Sequence, residues 1–319
     1  MRIVMMGTGT FAEPTFEALL ASGQSVVGLV TQPDRAVGDK RGSTRQVGKG
    51  MKPIAELARI PVFQPESINT PEGEKLLRDL APDLLVVAAY GQILSREILG
   101  VPPRGGINVH ASLLPKYRGA APVAWAIKSG ETESGISIIR MTIGLDAGDV
   151  LAVGKLAIGP DETAGELESR LGVLGAKLAL EMVGRLAAGE VHGMVQDKSL
   201  ATKAPKLTKE MGRIDWVPPA PAVWNHIRAM QPWPTAYTSL LRPETKPLRL
   251  IIVVAKPTEG PAAEVGTLRR DGDRVFVACG GDSWLELVEV QPEGKRRMSA
   301  ADFLRGNPLP AGSRLGTES

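Results

Sequence analysis

The chain has 319 residues, with 38 lysines and arginines against 35 aspartates and glutamates, a formal net charge of +3. That length exceeds the usual size of one domain, so two are expected, the larger able to bury a full core. A single cysteine, Cys279, excludes a disulfide framework and a cysteine-rich zinc site; no apolar run approaches membrane-spanning length, and with no signal peptide the expected compartment is the reducing cytoplasm.

Arg2 to Met6 reads as a first strand, Gly7-Thr8-Gly9-Thr10 as a turn, and Pro14 to Ser22 as a helix stopped by Gly23. Val26 to Thr31 makes a second strand, Lys52 to Arg59 a helix with Pro53 in its first turn, and Pro61 to Gln64 a short third strand. Thr70 and Pro71 supply the cap and first position of the next helix. Leu84 to Ala89 is the apolar run of a strand buried on both faces. Alternating strands and helices imply a mostly parallel, Rossmann-like α/β sheet. The opening turn, Gly7 to Ala12, also satisfies the G-x-G-x-x-A form of a dinucleotide fingerprint with Asp34 downstream, so a nicotinamide enzyme is an alternative; any tight βα turn selects glycine as well.

Residues 34 to 52 are too long for a simple connection and hold Arg35, Lys40, Arg41, Arg45, Lys49 and Lys52 against Asp34 and Asp39, a net of +4. Most such runs are solvated surface. Rich in glycine and poor in apolar residues, this one also fits an arm whose cations clamp the phosphates of a polyanion.

The stretch Gly106 to Pro115 carries the chemistry. Side chains of a strand alternate between faces, so Ile107 and Val109 point one way and Asn108 and His110 the other, an amide and an imidazole suited to stabilising an oxyanion. A strand-end histidine is most often a satisfied core residue. Here the chain owns three histidines, and this one leads into a loop flanked by Pro102, Pro103, Gly105 and Gly106 on one side and Pro115 and Gly119 on the other. Ala121 to Ser129 is then a helix and Gly135 to Met141 a strand. In the loop that follows, glycines on both sides of Asp146 present it to a neighbour; an Asx turn is the plainer reading, and an aspartate beside a histidine would orient the ring and raise its pKa.

Thr163 to Ala188 is a long amphipathic helix ended by Gly189, and residues 190 to 207 an irregular connection. Beyond a helix from about Ala222 to Met230 come short strands at Ala236 to Leu241, Leu248 to Ala255, Arg274 to Ala278 and Trp284 to Val290, then a capping box at Ser299 to Asp302. A small barrel of the oligonucleotide-binding (OB-like) type is expected.

Taken together, Gly7-Thr8 with Phe11-Ala12, Thr31-Gln32-Pro33-Asp34-Arg35, Ala89-Tyr90-Gly91, Ile107-Asn108-Val109-His110, Ser112-Leu113-Leu114-Pro115, Arg118-Gly119-Ala120-Ala121-Pro122, Gly144 to Asp149, Lys206 to Glu210, Ile214-Asp215-Trp216 and Pro232-Trp233-Pro234 closely resemble the bacterial methionyl-tRNA formyltransferase family from end to end. Gly9 departs from the proline that many members carry there. The resemblance implies catalytic positions at Asn108, His110 and Asp146, and a folate-contacting loop at Ser112, Leu113, Leu114 and Pro115, with Tyr90, Gln92 and Ile93 near the pterin. It implies a catalytic domain over 1–189, a linker over 190–207 and a tRNA-holding barrel over 208–319. The implied reaction moves a formyl group from 10-formyltetrahydrofolate to the methionine of initiator tRNA, in a monomer, with no metal and no membrane. Arg35, Lys40, Arg41, Arg45 and Lys49 are the expected nucleic-acid contacts. Formyltransferases acting on glycinamide ribonucleotide or an amino-sugar nucleotide share such a core; the second domain argues against the former and the long basic loop against the latter.

Overall fold

The structure is a computed structural model that describes residues 1–34, 48–189 and 191–316. They divide into two compact units, the first holding most residues up to Lys206 and the second Leu207 onward with the short segments 127–131 and 159–164.

The first unit opens with β1 (Arg2–Gly7), α1 (Glu13–Ala21), β2 (Ser25–Val30), α2 (Met51–Leu57), β3 (Val62–Phe63), α3 (Pro71–Leu80) and β4 (Leu84–Ala88). It continues through α4 (Arg96–Leu99), β5 (Gly106–His110), β6 (Arg118–Gly119), α5 (Pro122–Lys128), β7 (Glu133–Arg140), β8 (Val150–Ala157), α6 (Ala164–Ala188) and β9 (Lys203–Ala204). The main sheet runs β3-β2-β1-β4-β5-β7-β8. The first five strands pair in parallel, whereas β7 is antiparallel to both β5 and β8. All five residues of β4 are buried, as its unbroken apolar run requires of a central strand covered by helices on both faces. The chain leaves β1 and crosses to opposite sides to form β2 and β4, so the sheet reverses direction there, and sites in such sheets lie beyond the carboxyl ends of nearby strands. β5, beside β4, ends there with His110.

The glycines of the opening turn have steric reasons of their own. A Cβ on Gly7 would crowd the Ala88 carbonyl at 2.9 Å, and Gly9 takes φ +78°. Thr70 caps α3 by accepting from the Gly73 N–H at 3.1 Å. Sequence patterning left β8 unassigned; it is an antiparallel strand whose later residues alternate between half-buried and exposed, with the apolar Val153 and Ala157 on the exposed side.

The second unit comprises α7 (Ala220–Ala229), β10 (Tyr237–Leu241), β11 (Leu248–Glu259), β12 (Leu268–Asp271), β13 (Arg274–Cys279), β14 (Ser283–Pro292), β15 (Met298–Ser299), α8 (Ala300–Gly306) and β16 (Arg314–Gly316). Its antiparallel sheet runs β12-β13-β14-β11-β10-β16. A bridge between Thr267 and Arg314, with the Leu315 N–H donating to the Gly266 carbonyl at 2.9 Å, brings the two ends of that order together, curling the sheet into the small barrel expected from the sequence. Ser299 accepts from the Asp302 N–H at 3.0 Å, completing the cap of α8. The Ile-Asp-Trp motif is structural within this unit: the Trp216 indole donates to the buried Thr238 hydroxyl at 3.0 Å.

Candidate active site

His110 terminates β5 with its side chain 5 % exposed, and Asn108, two residues earlier on the same face, is half-buried. Asp146 reaches them from the turn between β7 and β8. It adopts φ +48°, a left-handed conformation that aspartate tolerates better than most residues, and Gly148 follows because a side chain there would run into the Arg140 carbonyl. The three residues converge. Asn108 Nδ2 donates to Asp146 Oδ1 at 3.3 Å, the Gly119 N–H donates to Asp146 Oδ2 at 2.9 Å, and His110 Nδ1 lies 3.5 Å from Asp146 Oδ2. On its other side His110 Nε2 is 3.0 Å from the Tyr117 carbonyl, which can only accept, so Nε2 carries the proton.

Burial drives the His110 pKa below the ordinary 6.5, with the nearby Arg118 cation adding to the fall. Asp146 and the Tyr117 hydrogen bond pull the other way without prevailing. Asp146 raises this pKa, as expected from the sequence, because the carboxylate stabilises an imidazolium, but desolvation of a ring this deep outweighs it. The ring is neutral, with Nδ1 presenting its lone pair toward Asp146. A proton arriving at Nδ1 would convert that contact into an ion pair. Asn108 has a second N–H beyond the one on Asp146, so the cluster offers one donor and one proton acceptor side by side.

The loop that follows His110 is held by its own hydrogen bonds. The Ser112 hydroxyl donates to the Lys116 carbonyl at 2.7 Å, the Ser137 hydroxyl donates to the Ser112 carbonyl at 2.8 Å, and the Leu114 N–H donates to Ser137 Oγ at 3.1 Å. Ser112 is thus buried, while Leu113, Leu114 and Pro115 remain partly accessible. The exit of β4 is built differently. Tyr90 is 2 % exposed within the core formed with Val4, Met6, Ile68 and Leu94, so its ring faces the protein interior. Gln92 accepts from the Ile68 N–H and donates to the Glu66 carbonyl, both at 3.0 Å, whereas Ile93 is 62 % exposed. Of these three, Ile93 alone presents an accessible side chain not engaged in holding a loop.

Arg35, Lys40, Arg41 and Arg45 lie outside the described residues. Lys49 is exposed, with its ammonium 2.6 Å from Glu17. Asp34, the acidic residue of the dinucleotide pattern, pairs with Lys52 at 2.9 Å and accepts from Gln64 at 3.0 Å. Among the described residues no cluster of three or more metal-ligating side chains occurs. Three participants were missed from sequence: the Tyr117 carbonyl, the Gly119 N–H and Gln196, which donates to the Asp146 carbonyl at 2.8 Å. Two are backbone groups, and nothing in the residue pattern around Gln196 marks it.

A neutral histidine facing an aspartate, with an amide beside them at the end of a parallel strand, suits transfer of an acyl group to an amine. Residues 1–183 match the family described as formyl transferase, and residues 206–308 match its C-terminal domain. Among curated proteins, methionyl-tRNA formyltransferase of Citrifermentans bemidjiense is 46% identical over 99% of this chain and 96% of its own length, and that of Acidobacterium capsulatum 44% identical over 99% and 100%. The chain belongs to the methionyl-tRNA formyltransferase family. Solved structures share the fold at low identity: an N-formyltransferase from Helicobacter canadensis in complex with folinic acid and dTDP-3-aminofucose superposes with TM-score 0.67 at 16% identity, covering 91% of this chain and 98% of that one. HypX from Aquifex aeolicus in complex with tetrahydrofolic acid gives 0.61 at 17%, covering 97% of this chain and 48% of its own.

Proposed function

We propose that the chain transfers the formyl group of 10-formyltetrahydrofolate to the α-amino group of methionine esterified to initiator tRNA, yielding N-formylmethionyl-tRNA. The observation that carries the assignment is the family membership, at 46% identity along 99% of the chain; the convergence of Asn108, His110 and Asp146 supports the mechanism. The amine nitrogen attacks the formyl carbon, the carbonyl oxygen becomes negative, and the bond from carbon to N10 breaks as the new C–N bond is kept. Asn108 Nδ2 donates to that oxygen, an interaction worth roughly 2.7–4 kcal/mol at comparable sites. His110 Nδ1, facing Asp146, takes the proton shed by the amine, directly or through water, and its return to N10 makes that nitrogen a neutral leaving group.

In this reading the folate lies against Leu113, Leu114 and Pro115 and along the backbone from Tyr90 to Ile93, with Ser112 holding the loop. Arg35, Lys40, Arg41, Arg45 and Lys49 bind phosphates of the tRNA, aided by the barrel of residues 208–319 beyond a connection at 190–207. Among the described residues no helix is long and apolar enough to cross a membrane; we assign a cytoplasmic monomer that needs no metal. An amino-sugar nucleotide is the rival acceptor, favoured by the fold shared with the Helicobacter canadensis enzyme. The test offers Met-tRNA, an amino-sugar nucleotide and glycinamide ribonucleotide side by side with 10-formyltetrahydrofolate. Formylation of Met-tRNA alone is expected; formylation of the sugar without the tRNA would reject the assignment.

A further inference from the structure

Residues 192–200 are exposed with one exception, Gln196, which is 7 % exposed between Val195 at 77 % and an exposed Asp197. An amide drawn inward from a solvent-facing stretch loses its hydration, so its polar atoms need partners. Nε2 donates to the carbonyls of Asp146 at 2.8 Å and Gly148 at 2.7 Å, and Oε1 accepts from Arg118 Nε at 3.1 Å and Nη2 at 2.6 Å. These partners belong to two different loops of the site. The carbonyls bracket the turn in which Asp146 holds its left-handed conformation, which needs surrounding support to persist. Arg118 lies between Tyr117, whose carbonyl meets His110 Nε2, and Gly119, whose N–H meets Asp146 Oδ2.

The stretch that begins at Gln196 goes on to hold the second loop directly. The Thr202 hydroxyl accepts from the Tyr117 N–H at 2.8 Å and the Thr202 carbonyl from the Arg118 N–H at 2.9 Å. The Ala204 carbonyl accepts from the N–H groups of Ala120 and Ala121 at 2.9 and 3.2 Å, and a Cβ on Gly119 would strike that same carbonyl. Every backbone group that fixes His110 from its Nε2 side, or Asp146 from its Oδ2 side, is thus one bond or one residue from the 196–204 stretch.

We infer that Gln196 is a positioning residue for formyl transfer, and that residues 196–204 form a brace keeping Asp146 and the Tyr117 carbonyl in register with the His110 ring. The inference rests on reading Asn108, His110 and Asp146 as the reacting cluster. Gln196 touches no reacting atom; it acts through the two loops it joins. Displacing Asp146 from His110 removes the larger of the two influences that oppose desolvation, so the ring's pKa falls further and its protonation moves to lower pH.

Two variants of the full chain test this. Gln196→Glu keeps an acceptor for Arg118 but turns an oxygen toward the two carbonyls, and Gln196→Met keeps the length without polar atoms. Each is assayed with Met-tRNA and 10-formyltetrahydrofolate across pH, beside Asp146→Asn, with thermal unfolding recorded for all. Both Gln196 variants are expected to lose up to roughly 10²-fold in kcat, as a displacement of about 1 Å does, with either KM changed by less than about threefold. The acid limb of kcat is expected to move to lower pH in Gln196→Met, whereas in Gln196→Glu the added carboxylate offsets the Arg118 cation and opposes that shift. If Asp146→Asn is inactive while both folded Gln196 variants keep their kcat and acid limb, the brace is overturned and the cluster stands. If activity falls only in step with thermal stability and the acid limb of Gln196→Met does not move, Gln196 is structural and the inference is likewise overturned. Full activity in Asp146→Asn would instead overturn the reading of the cluster itself.

Discussion

His110 at the end of β5 and His226 in α7 belong to different units, and burial lowers the pKa of both, yet their company differs in kind. His226 drops to about 4 because desolvation is reinforced by the Lys128 ammonium, only partly opposed by a hydrogen bond to the Gly212 backbone and by Asp215. Its buried Nε2 has no partner among the described residues. His110 has an acceptor at each ring nitrogen, and one of them is the Asp146 carboxylate. Burial reinforced by a cation, with Gly212 and Asp215 only partly opposing it, leaves a neutral ring that resists a proton. Burial beside a carboxylate produces a neutral ring that gains an ion pair when protonated, which is the property a proton acceptor in catalysis requires.

The comparison breaks most visibly under substitution. His110→Ala is expected to lower kcat by roughly 10²–10⁴-fold, the usual range for a general acid–base group, and Asp146→Asn to do comparable damage. Folate binding, followed by thermal shift, should persist in both. His226→Gln should leave kcat near that of the parent. Equal losses from the two histidine substitutions would erase the distinction between them.

A pH profile sharpens it next. If His110 is the proton acceptor proposed above, with a pKa below 6.5, kcat should be flat above that value and fall as pH drops through the lowered pKa. An acid limb centred above 6.5 would mean that Asp146 dominates over burial. Replacing Lys128, which bears on His226, should not move this limb.

The first sheet was legible because its signals are local: the apolar run of β4, the Thr70 cap and the alternation that sets Asn108 and His110 on one face all follow from residues within a few positions of one another. The barrel strands β11, β13 and β14 were legible for the same reason. β8 was not, since apolar Val153 and Ala157 sit on its exposed face and erase the apolar–polar alternation, and β16 is three residues long. At the site, residue type and spacing pointed to Asn108, His110 and Asp146. Asp146 raises the His110 pKa as its residue type implies, but the net direction was not legible because it depends on how deeply the ring is buried, a property of the assembled fold. The resemblance put Tyr90 and Gln92 near the pterin; in the fold the Tyr90 ring packs in the core and the Gln92 side chain holds the 66–68 loop, details of packing that no local pattern carries.

A smaller effect separates the histidines through stability. His226 titrates near its ordinary 6.5 when unfolded and at about 4 when folded, so above 6.5 both states are neutral and no difference exists. Between 6.5 and about 4 the unfolded chain takes up a proton that the folded unit refuses, and stability drains away by roughly 3 kcal/mol over that window. Denaturant unfolding of the full chain at pH 7 and pH 4.5 measures the loss. His226→Gln, which cannot titrate, should flatten it; an unchanged acid sensitivity would place the proton uptake elsewhere.

The smallest expected effect concerns the hydroxyl of Tyr90, in the wall beside the site. It is buried with no partner among the described residues, and burial pushes its pKa up to about 12, so it stays protonated throughout the working range. A buried hydroxyl without a hydrogen bond costs a protein roughly 1–3 kcal/mol relative to the hydrated group. Tyr90→Phe keeps the ring that packs against Ile68 and Leu94 and deletes only that oxygen. The variant should therefore match the parent in stability or exceed it by up to about 1 kcal/mol, a rise of roughly 2–4 °C in Tm for a unit of this size. The folate KM should not change, because the ring faces the core and the proposed ligand position is along the backbone of this loop. A raised folate KM with no gain in stability would show that the hydroxyl turns toward the ligand, and the β4 exit would then join the β5 exit as a wall that reads the substrate through its side chains.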